Sequence, residues 1–470
     1  MRAAFCRPRF EKNSTYNERV QLLQGVIAIN RLPKPSALSA GFSNVSILLY
    51  TLWLLLPALQ TTGRAATGAL AVCLFGAGVL LDKPYLKAHW MSFSLRCLCA
   101  AALPLVMRFF LRRGANSFAG YYAQQIMFWF PLIWCGYAQA RGDARVWRFL
   151  KAVLLGTMAV TILTTIGWLV QGMLRGGRVY AYSRSLGWGG PGQEAYLKEL
   201  MGRNIGGYDF IYASMLSLPL GCYAVLKTRG WKRVACAAFC TAQLVMIALS
   251  QYTYGLIFAV TLVALELLAA CLRRLVRKIR KQPLDVAHSL LWVLPLFAVV
   301  YFLRIPLAQG AVSLCRHIGF ESFAYSLDQL MNTLTGNIAD TASRMDHYRL
   351  SLGGFAASPL IGALPGMSAP LSLHSDLLDL LSATGALGTA VFLFLVWFMG
   401  RGCLRGIGKS AAKPHFCLQY AALLAFSLLG TVTFSRDIPL VLCAGALLLG
   451  QCHGLQPAGD IDPEPASSSV

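Results

Sequence analysis

Apolar residues in this chain come in runs of roughly twenty, separated by short polar stretches crowded with Lys and Arg. Runs such as Val45–Leu59, Phe149–Val170 and Tyr254–Cys271 hold almost no charge. A helix needs ~20 mostly apolar residues to cross ~30 Å of hydrocarbon, and across that depth its backbone groups must be paired within the segment. The pattern predicts an all-α polytopic membrane protein with about twelve transmembrane helices. They fall near 44–61, 66–82, 91–110, 118–138, 149–172, 208–226, 234–251, 253–272, 287–304, 377–399, 416–434 and 438–453. The narrow gap at Ser250–Tyr254 also allows one long broken helix in place of two.

Basic residues set the expected orientation. With the N-terminus inside, inner loops carry Lys83 and Lys87, then Arg141, Arg145 and Arg148, then Lys227, Arg229, Lys232 and Arg233. The dense run Arg273–Lys281 comes next, and then Arg401, Arg405, Lys409 and Lys413. The outer connections Gln251–Thr253 and Ser435–Ile438 carry no net charge, whereas Arg112 and Arg113 fall outside, against the rule. This bias predicts both termini in the cytoplasm. The expected organisation is a cytoplasmic segment 1–43, spans within 44–304 with an outer loop at 173–207, and a large extracytoplasmic loop at 305–376. Spans within 377–453 and a disordered Pro/Ser/acidic tail at 454–470 complete it. Long connections in a compact protein are usually functional, which directs attention to the two outer segments. No internal repeat is visible, which weighs against transporters built from matched halves.

Composition agrees with this picture. Of 470 residues 56% are hydrophobic and 13% are charged, about half the charged share of a soluble domain. The formal charge of +23, from 42 basic and 19 acidic residues, reads as topological signal and attraction to anionic lipid. No nucleic-acid-binding signature accompanies it, so no nucleic-acid partner is expected. Most of the 14 cysteines fall in predicted spans, where a thiol is a small apolar side chain. Cys315 alone falls in a predicted outer loop, so no outer disulfide is expected within the chain, and no Cys/His metal spacing occurs. The stretch Met1–Asn44 is too polar for a signal peptide.

The candidate chemistry lies in the larger loop. Asp340, Thr341 or Ser343 can cap a helix over 340–357. Met345, Tyr348, Leu352 and Phe355 then make one apolar stripe, with Arg344, His347 and Ser351 on a neighbouring face. Ser358-Pro359 ends the helix. This predicts an amphipathic helix at the outer membrane surface that presents an arginine; the alternative is that Arg344 and Arg349 only meet lipid headgroups. If a helix begins near His374, Gly385 lies about three turns on and ~20° away around the axis, with Gly388 on nearly the same face. An imidazole would then stand at the outer mouth, with a glycine-lined groove roughly 16 Å deeper for a helix or lipid chain.

The stretch His374-Ser375, nine residues, Gly385, two residues, Gly388-Thr389 resembles the His-(Asn/Ser)-x9-Gly-x2-Gly signature of the O-antigen ligase/polymerase family. The preceding ASRMDHYRLSLGGFAASPLIG is similar to that family's arginine-led amphipathic stretch. The resemblance is strongest over Ser343–Leu393, and the layout extends it over most of the chain. Two departures stand out. Where many members have a Ser-x-Ser-Arg-like element, Ser250–Gly255 (SQYTYG) lacks the arginine, and Tyr348 stands where many have tryptophan.

The resemblance implies a membrane glycosyltransferase architecture of the GT-C type, with the long outer loop between spans nine and ten. It implies a bacterial plasma-membrane protein that takes glycan from a polyprenyl-diphosphate-linked donor to an acceptor hydroxyl on the outer face, without metal or cofactor. Membrane lipids, a glycan or lipid-linked acceptor, a flippase and a chain-length regulator are the implied partners. A departing diphosphate calls for preorganised cations, which arginine supplies as a bidentate fork. Arg344 is the first candidate; Arg203 substitutes for the missing arginine, with Arg349 and Arg184 behind. Proton loss from the acceptor calls for a base near neutral pH, and His374 fits that role, with His347 and His317 as rivals. On a regular helix Asp376 would point about 200° away from His374. Gly385 and Gly388 would line the lipid groove. Polymerase and ligase differ only in acceptor, and polymerase is preferred because capsule and exopolysaccharide systems commonly contain such a chain. The competing class is a solute or lipid-linked sugar transporter, which should bury ionisable groups within its spans; central positions offer little beyond Gln124, Gln125 and Arg96.

Overall fold

The computed structural model describes residues 35–61, 64–110, 130–141, 144–174, 194–250, 253–280, 304–317, 339–362, 374–407 and 413–429, with a few isolated positions between them. The described helices are α1 (Ala37–Leu55), α2 (Pro57–Thr61), α3 (Arg64–Leu81), α4 (Lys83–Phe110), α5 (Phe130–Arg141), α6 (Ala144–Leu174) and α7 (Glu194–Gly202). They continue with α8 (Tyr208–Lys227), α9 (Trp231–Leu249), α10 (Thr253–Arg280), α11 (Arg304–His317), α12 (Ala339–Ala357), α13 (Asp376–Ile407) and α14 (Lys413–Leu429). No strand occurs among the described residues.

Five helices are long and apolar enough to cross a membrane: Ala37–Leu55, Phe149–Gly172, Phe210–Lys227, Trp231–Leu249 and Asp376–Phe394. The count rises to six if Ala66–Leu81 and Lys83–Leu98, bent by 116°, are taken together. The coarse expectation of an all-helical membrane protein therefore stands, with a smaller number of spans described than the sequence suggests. The expected spans 287–304 and 438–453 lie almost wholly outside the described residues, as do most of 118–138, most of the outer loop 173–207, residues 1–34 and the tail.

The helices form two groups. α1 packs on α3 and α6, while α4 meets α3 and α5. In the second group α8 packs against α9, α10 and α14. α9 meets α6, and α13 touches α4, α5, α12 and α14, so these two helices join the groups. Close approach depends on small residues and hydroxyls, as expected where lipid tails are as apolar as the side chains. Ser39 Oγ donates to Gly78 O at 2.7 Å, and Ser46 Oγ to Ala71 O at 2.6 Å, both from α1 to α3. Thr161 of α6 donates to Leu55 O at 2.8 Å, covering a carbonyl at the end of α1 that no further turn would pair.

The structure departs from expectation at two places. Residues 83–90, expected as an inner loop, are helical, because Asp82 both bends the chain and caps α4. Its Oδ1 accepts from Tyr85 N at 3.2 Å, and Pro84 suits a first turn that needs no N–H. Asp82 is buried, accepts from Tyr137 Oη at 2.9 Å and Arg141 Nε at 2.6 Å, and forms an ion pair with Arg141. The second departure concerns interior charge. Besides Asp82–Arg141, Glu266 of α10 meets His415 of α14, with Oε2 and Nδ1 2.6 Å apart and side chains 3% and 2% exposed. The apolar run Tyr254–Cys271 hid Glu266, and His415 precedes the stretch expected to form a span.

Breaking a buried pair from one side leaves an unpaired charge in low dielectric. Asp82→Asn is expected to destabilise the protein by about 3–5 kcal/mol. Adding Arg141→Met should recover part of that loss by removing the stranded cation. Thermal unfolding of both variants in detergent tests it.

Candidate functional site

The site forms where α12, the turn after it and the start of α13 come together. Ser351, buried in α12, donates from Oγ to Asp379 Oδ1 at 2.6 Å. The same carboxylate oxygen accepts from Ser372 N and from Ser372 Oγ, each at 2.8 Å. Hydrogen bonds to a charged acceptor are about twice as strong as neutral ones, and Asp379 is 1% exposed, so water competes little for them. One carboxylate thus joins two helices and fixes Ser372.

Ser372 in turn fixes His374. Its Oγ accepts from His374 N at 3.1 Å, and its carbonyl lies 2.6 Å from His374 Nδ1. A carbonyl can only accept, so Nδ1 carries the hydrogen, and in the neutral ring Nε2 is left as the bare, basic nitrogen. The ring is held from its face as well. The imidazoles of His347 and His374 stack with centroids 4.3 Å apart and planes 9° from parallel. His347 and Ser351 are one turn apart on one face of α12, so that face grips the start of α13 at two points. Leu350 and Leu352 are exposed, while Ser351 is buried and His347, Tyr348 and Phe355 are half-buried.

Helix α13 begins later than the sequence suggests and is not straight. Ser375 caps it, with its Oγ accepting from Leu378 N at 3.2 Å and donating to Leu428 O of α14 at 2.6 Å. His374 therefore precedes the helix. At Gly385 the backbone turns to φ 63°, ψ −170° and breaks the helix. The turn after α12 fills the break: Ala386 N donates to Pro359 O at 2.8 Å and Leu387 N to Leu360 O at 3.1 Å. A Cβ on Gly385 would lie 2.5 Å from Gly362 N and from Leu360 O. A Cβ on Gly388 would collide with the Thr384 side chain. The straight stripe from His374 to Gly388 is thus replaced by a kinked segment, and protein atoms fill the space above both glycines.

The remaining candidates are scattered. Arg344 lies in α12, one turn before His347, but its side chain lies outside the described residues. Arg349 pairs with Asp346 at 3.4 Å on the exposed side of α12. Arg203, at the end of α7, pairs with Glu199 at 2.5 Å across its own helix, with both side chains more than half exposed. It precedes a turn in which Asn204 (φ 60°) docks on α6 through Thr161, at 3.1 Å, and Thr164, at 2.7 Å. His317 ends α11 and is exposed. Arg184, Gln124 and Gln125 lie outside the described residues. Arg96 extends its guanidinium against Gly136 of α5. Among the described residues no group of His, Cys, Asp or Glu has the arrangement of a metal site.

Sequence reasoning missed Asp379, Ser372 and Ser351 as one unit. Ser375 followed by Asp376 and Asp379 reads as a helix start with favourable acids, but nothing in the local pattern points to Ser351, 28 residues earlier. Among known protein families, curated proteins and solved structures, none matches this chain.

Substitutions at Gly385 and Asp379 test this geometry. Gly385→Ala meets both a backbone conformation that is essentially confined to glycine, costing about 1–3 kcal/mol, and a collision with the facing turn. It should lower the unfolding midpoint well beyond Gly388→Ala, whose neighbour is a side chain. Asp379→Ala should free Ser372 and with it the His374 ring, seen as loss of the Nδ1–H tautomer in ¹⁵N spectra of labelled imidazoles, whereas Asp379→Asn, still able to accept, should keep most of it.

Proposed function

We propose that this chain is a membrane glycosyltransferase that polymerises polyprenyl-diphosphate-linked oligosaccharide units into a surface polysaccharide, with His374 as the base. The observation that carries this reading is the setting of His374: Nδ1 stands 2.6 Å from the Ser372 carbonyl, which as an acceptor favours the hydrogen on Nδ1, and the ring stacks on His347. It is supported by the resemblance of Ser343–Leu393 to the O-antigen ligase/polymerase family. In the reaction, Nε2 takes the proton from an acceptor hydroxyl as its oxygen attacks the anomeric carbon. The new C–O bond forms with inversion, the bond to the carrier diphosphate breaks, and its electron pair leaves on the diphosphate oxygen. Arg344 is assigned to that departing charge, in which role arginine's fork geometry serves both phosphates. Arg203 and Arg349 would need to leave their exposed partners to assist, a small cost because such surface pairs contribute little. The active face lies outside the plasma membrane of a bacterium, and both termini lie in the cytoplasm. The membrane architecture is that of the GT-C glycosyltransferases, with about twelve spans.

A ligase uses the same donor and the same two roles, with a lipid, wall polymer or protein as acceptor. A transporter is favoured by a separate observation: the buried Asp82–Arg141 ion pair and the buried Glu266–His415 contact are the kind of interior ionisable groups that mark ion or solute pathways.

The test is purified protein in nanodiscs, given polyprenyl-diphosphate-linked repeat units and followed for glycan length on a gel. Wild type is expected to make a ladder. His374→Ala should lower the rate by about 10²–10⁴-fold, the range for loss of a general base, and Arg344→Ala should lower it comparably with the fold intact. Transfer to an added acceptor without a ladder would mean ligase. An inert wild type that changes the sidedness of the lipid-linked sugar in sealed vesicles would replace catalysis with transport.

A further inference from the structure

The Glu266–His415 contact takes no part in the chemistry proposed for His374, and both of its titratable side chains are buried. Glu266 comes from the middle of α10 and His415 from the first turn of α14. Their polar atoms stand 2.6 Å apart with 3% and 2% of the side chains exposed. Among the described residues the ring nitrogen makes no well-aligned hydrogen bond. One turn along α14, Gln419 is fully buried, and among the described residues neither its amide nitrogen nor its amide oxygen has a hydrogen-bond partner. The Tyr223 ring of α8 lies 4.8 Å from the imidazole, and the Cys222 thiol of α8 lies within electrostatic reach of Glu266. Lys413 of α14, two residues before His415, is exposed. α9 sends no charged side chain toward the pair among its described contacts.

These facts decide what the site can hold. A carboxylate without a compensating charge is strongly disfavoured in a dry interior, and a lone-pair nitrogen facing a carboxylate oxygen at this separation repels it. Both problems vanish if one proton is present, whether drawn as imidazolium with carboxylate or as neutral ring with carboxylic acid. A second proton leaves a bare imidazolium and restores the penalty. The neighbours Cys222 and Tyr223 supply no fixed charge that could replace the proton. Gln419 offers one donor and one acceptor beside it, suited to a water molecule that carries the proton in or out.

We infer that Glu266 and His415 form an interior proton-binding site that holds a single proton and thereby latches α14 to α10. The latch adds to a thin seam: the two helices also meet through the Phe258 and Phe426 rings, 4.5 Å apart, while α14 rests mainly on α8 and α13. Loss of the proton removes the attraction and leaves a buried anion, so the packed state is stable at low pH and loosens as pH rises. α14 carries the effect along its length: its other end accepts the Ser375 hydroxyl through Leu428 O, next to His374. The site does not depend on what His374 does.

The full chain in nanodiscs is tested by hydrogen exchange with mass spectrometry at about pH 6 and about pH 9, corrected for the intrinsic exchange rate. Amides of Lys413–Leu429 and of the facing part of α10 are expected to exchange on the order of tenfold faster at the higher pH. Glu266→Gln, a neutral mimic of the protonated carboxyl that has no proton to lose, is expected to abolish that step. Equal protection at both pH values, or a step that persists in Glu266→Gln, overturns the site. If Glu266→Gln does not fold, wild type decides alone: a step confined to α10 and α14 supports the site, and one shared equally by α1 and α3 overturns it.

Discussion

Gly362 and Gly385 meet backbone to backbone, and the geometry of the candidate site depends on that contact. Both have positive φ, and a Cβ on either would run into the other segment: on Gly385 into Leu360 and Gly362, on Gly362 into Ala383 and Thr384. A continuous helix through Gly385 would keep its N–H groups for itself. The break frees the donors of Ala386 and Leu387, and the carbonyls of Pro359 and Leu360 take them. In an apolar bundle a broken helix is tolerated only where protein groups take over the freed backbone. The turn that does so is the end of α12, so the break itself sets α12 beside α13. From that placement come the reach of Ser351 to Asp379 and the stacking of His347 on His374.

Asp379 then turns a packing contact into orientation. A carboxylate accepting three short hydrogen bonds from two segments resists rotation of either, and Ser372 passes that rigidity to the imidazole through its carbonyl. The arrangement has the logic of a base held by a third group, with a backbone carbonyl in the place often taken by a side-chain carboxylate. Asp379, seven residues on in the chain, reaches the ring through Ser372, which lies between them. The hydroxyl of Ser375 adds a tie to α14, so the residues before α13 are held from α12, α13 and α14 together.

The apolar pattern made much of the helical layout legible: α6 and α9, and the apolar part of α13, lie where uncharged runs of the right length occur. Its failures have physical causes. At Asp82 a charged residue and a following Lys-Pro read as a loop, yet the aspartate caps a helix and the proline suits its first turn. At Gly385 the spacing to Gly388 fits a groove for a neighbouring helix as well as it fits a break, since periodicity reports which residues are small and not what their smallness admits. His374 was legible as a polar residue at the mouth of an apolar run. Its partners were not, since Ser351 and His347 reach it only through the turn at Gly362, a tertiary contact with no local signature. Glu266 was hidden for the opposite reason: a single acid inside an apolar run barely lowers its hydropathy, and its partner lies 149 residues away in the chain.

α14 links these features. From His415 to Leu428 it spans thirteen residues, or about 20 Å of helix, with a buried charge at one end and the hydroxyl that caps α13 at the other. A helix is stiff along its axis, so a change of packing at one end is felt at the other as a shift or tilt and is not absorbed between them. Along this length α14 packs on α8 through side chains such as Phe426, whose ring meets Tyr212 at 5.4 Å and Phe258 of α10 at 4.5 Å. Those aromatic contacts are non-directional compared with the ends, where one ion contact and one hydroxyl fix position. The two polar ends therefore define where α14 sits, and the apolar middle allows it to move. α14 thus joins the buried Glu266–His415 contact at one end to the segment that holds His374 at the other.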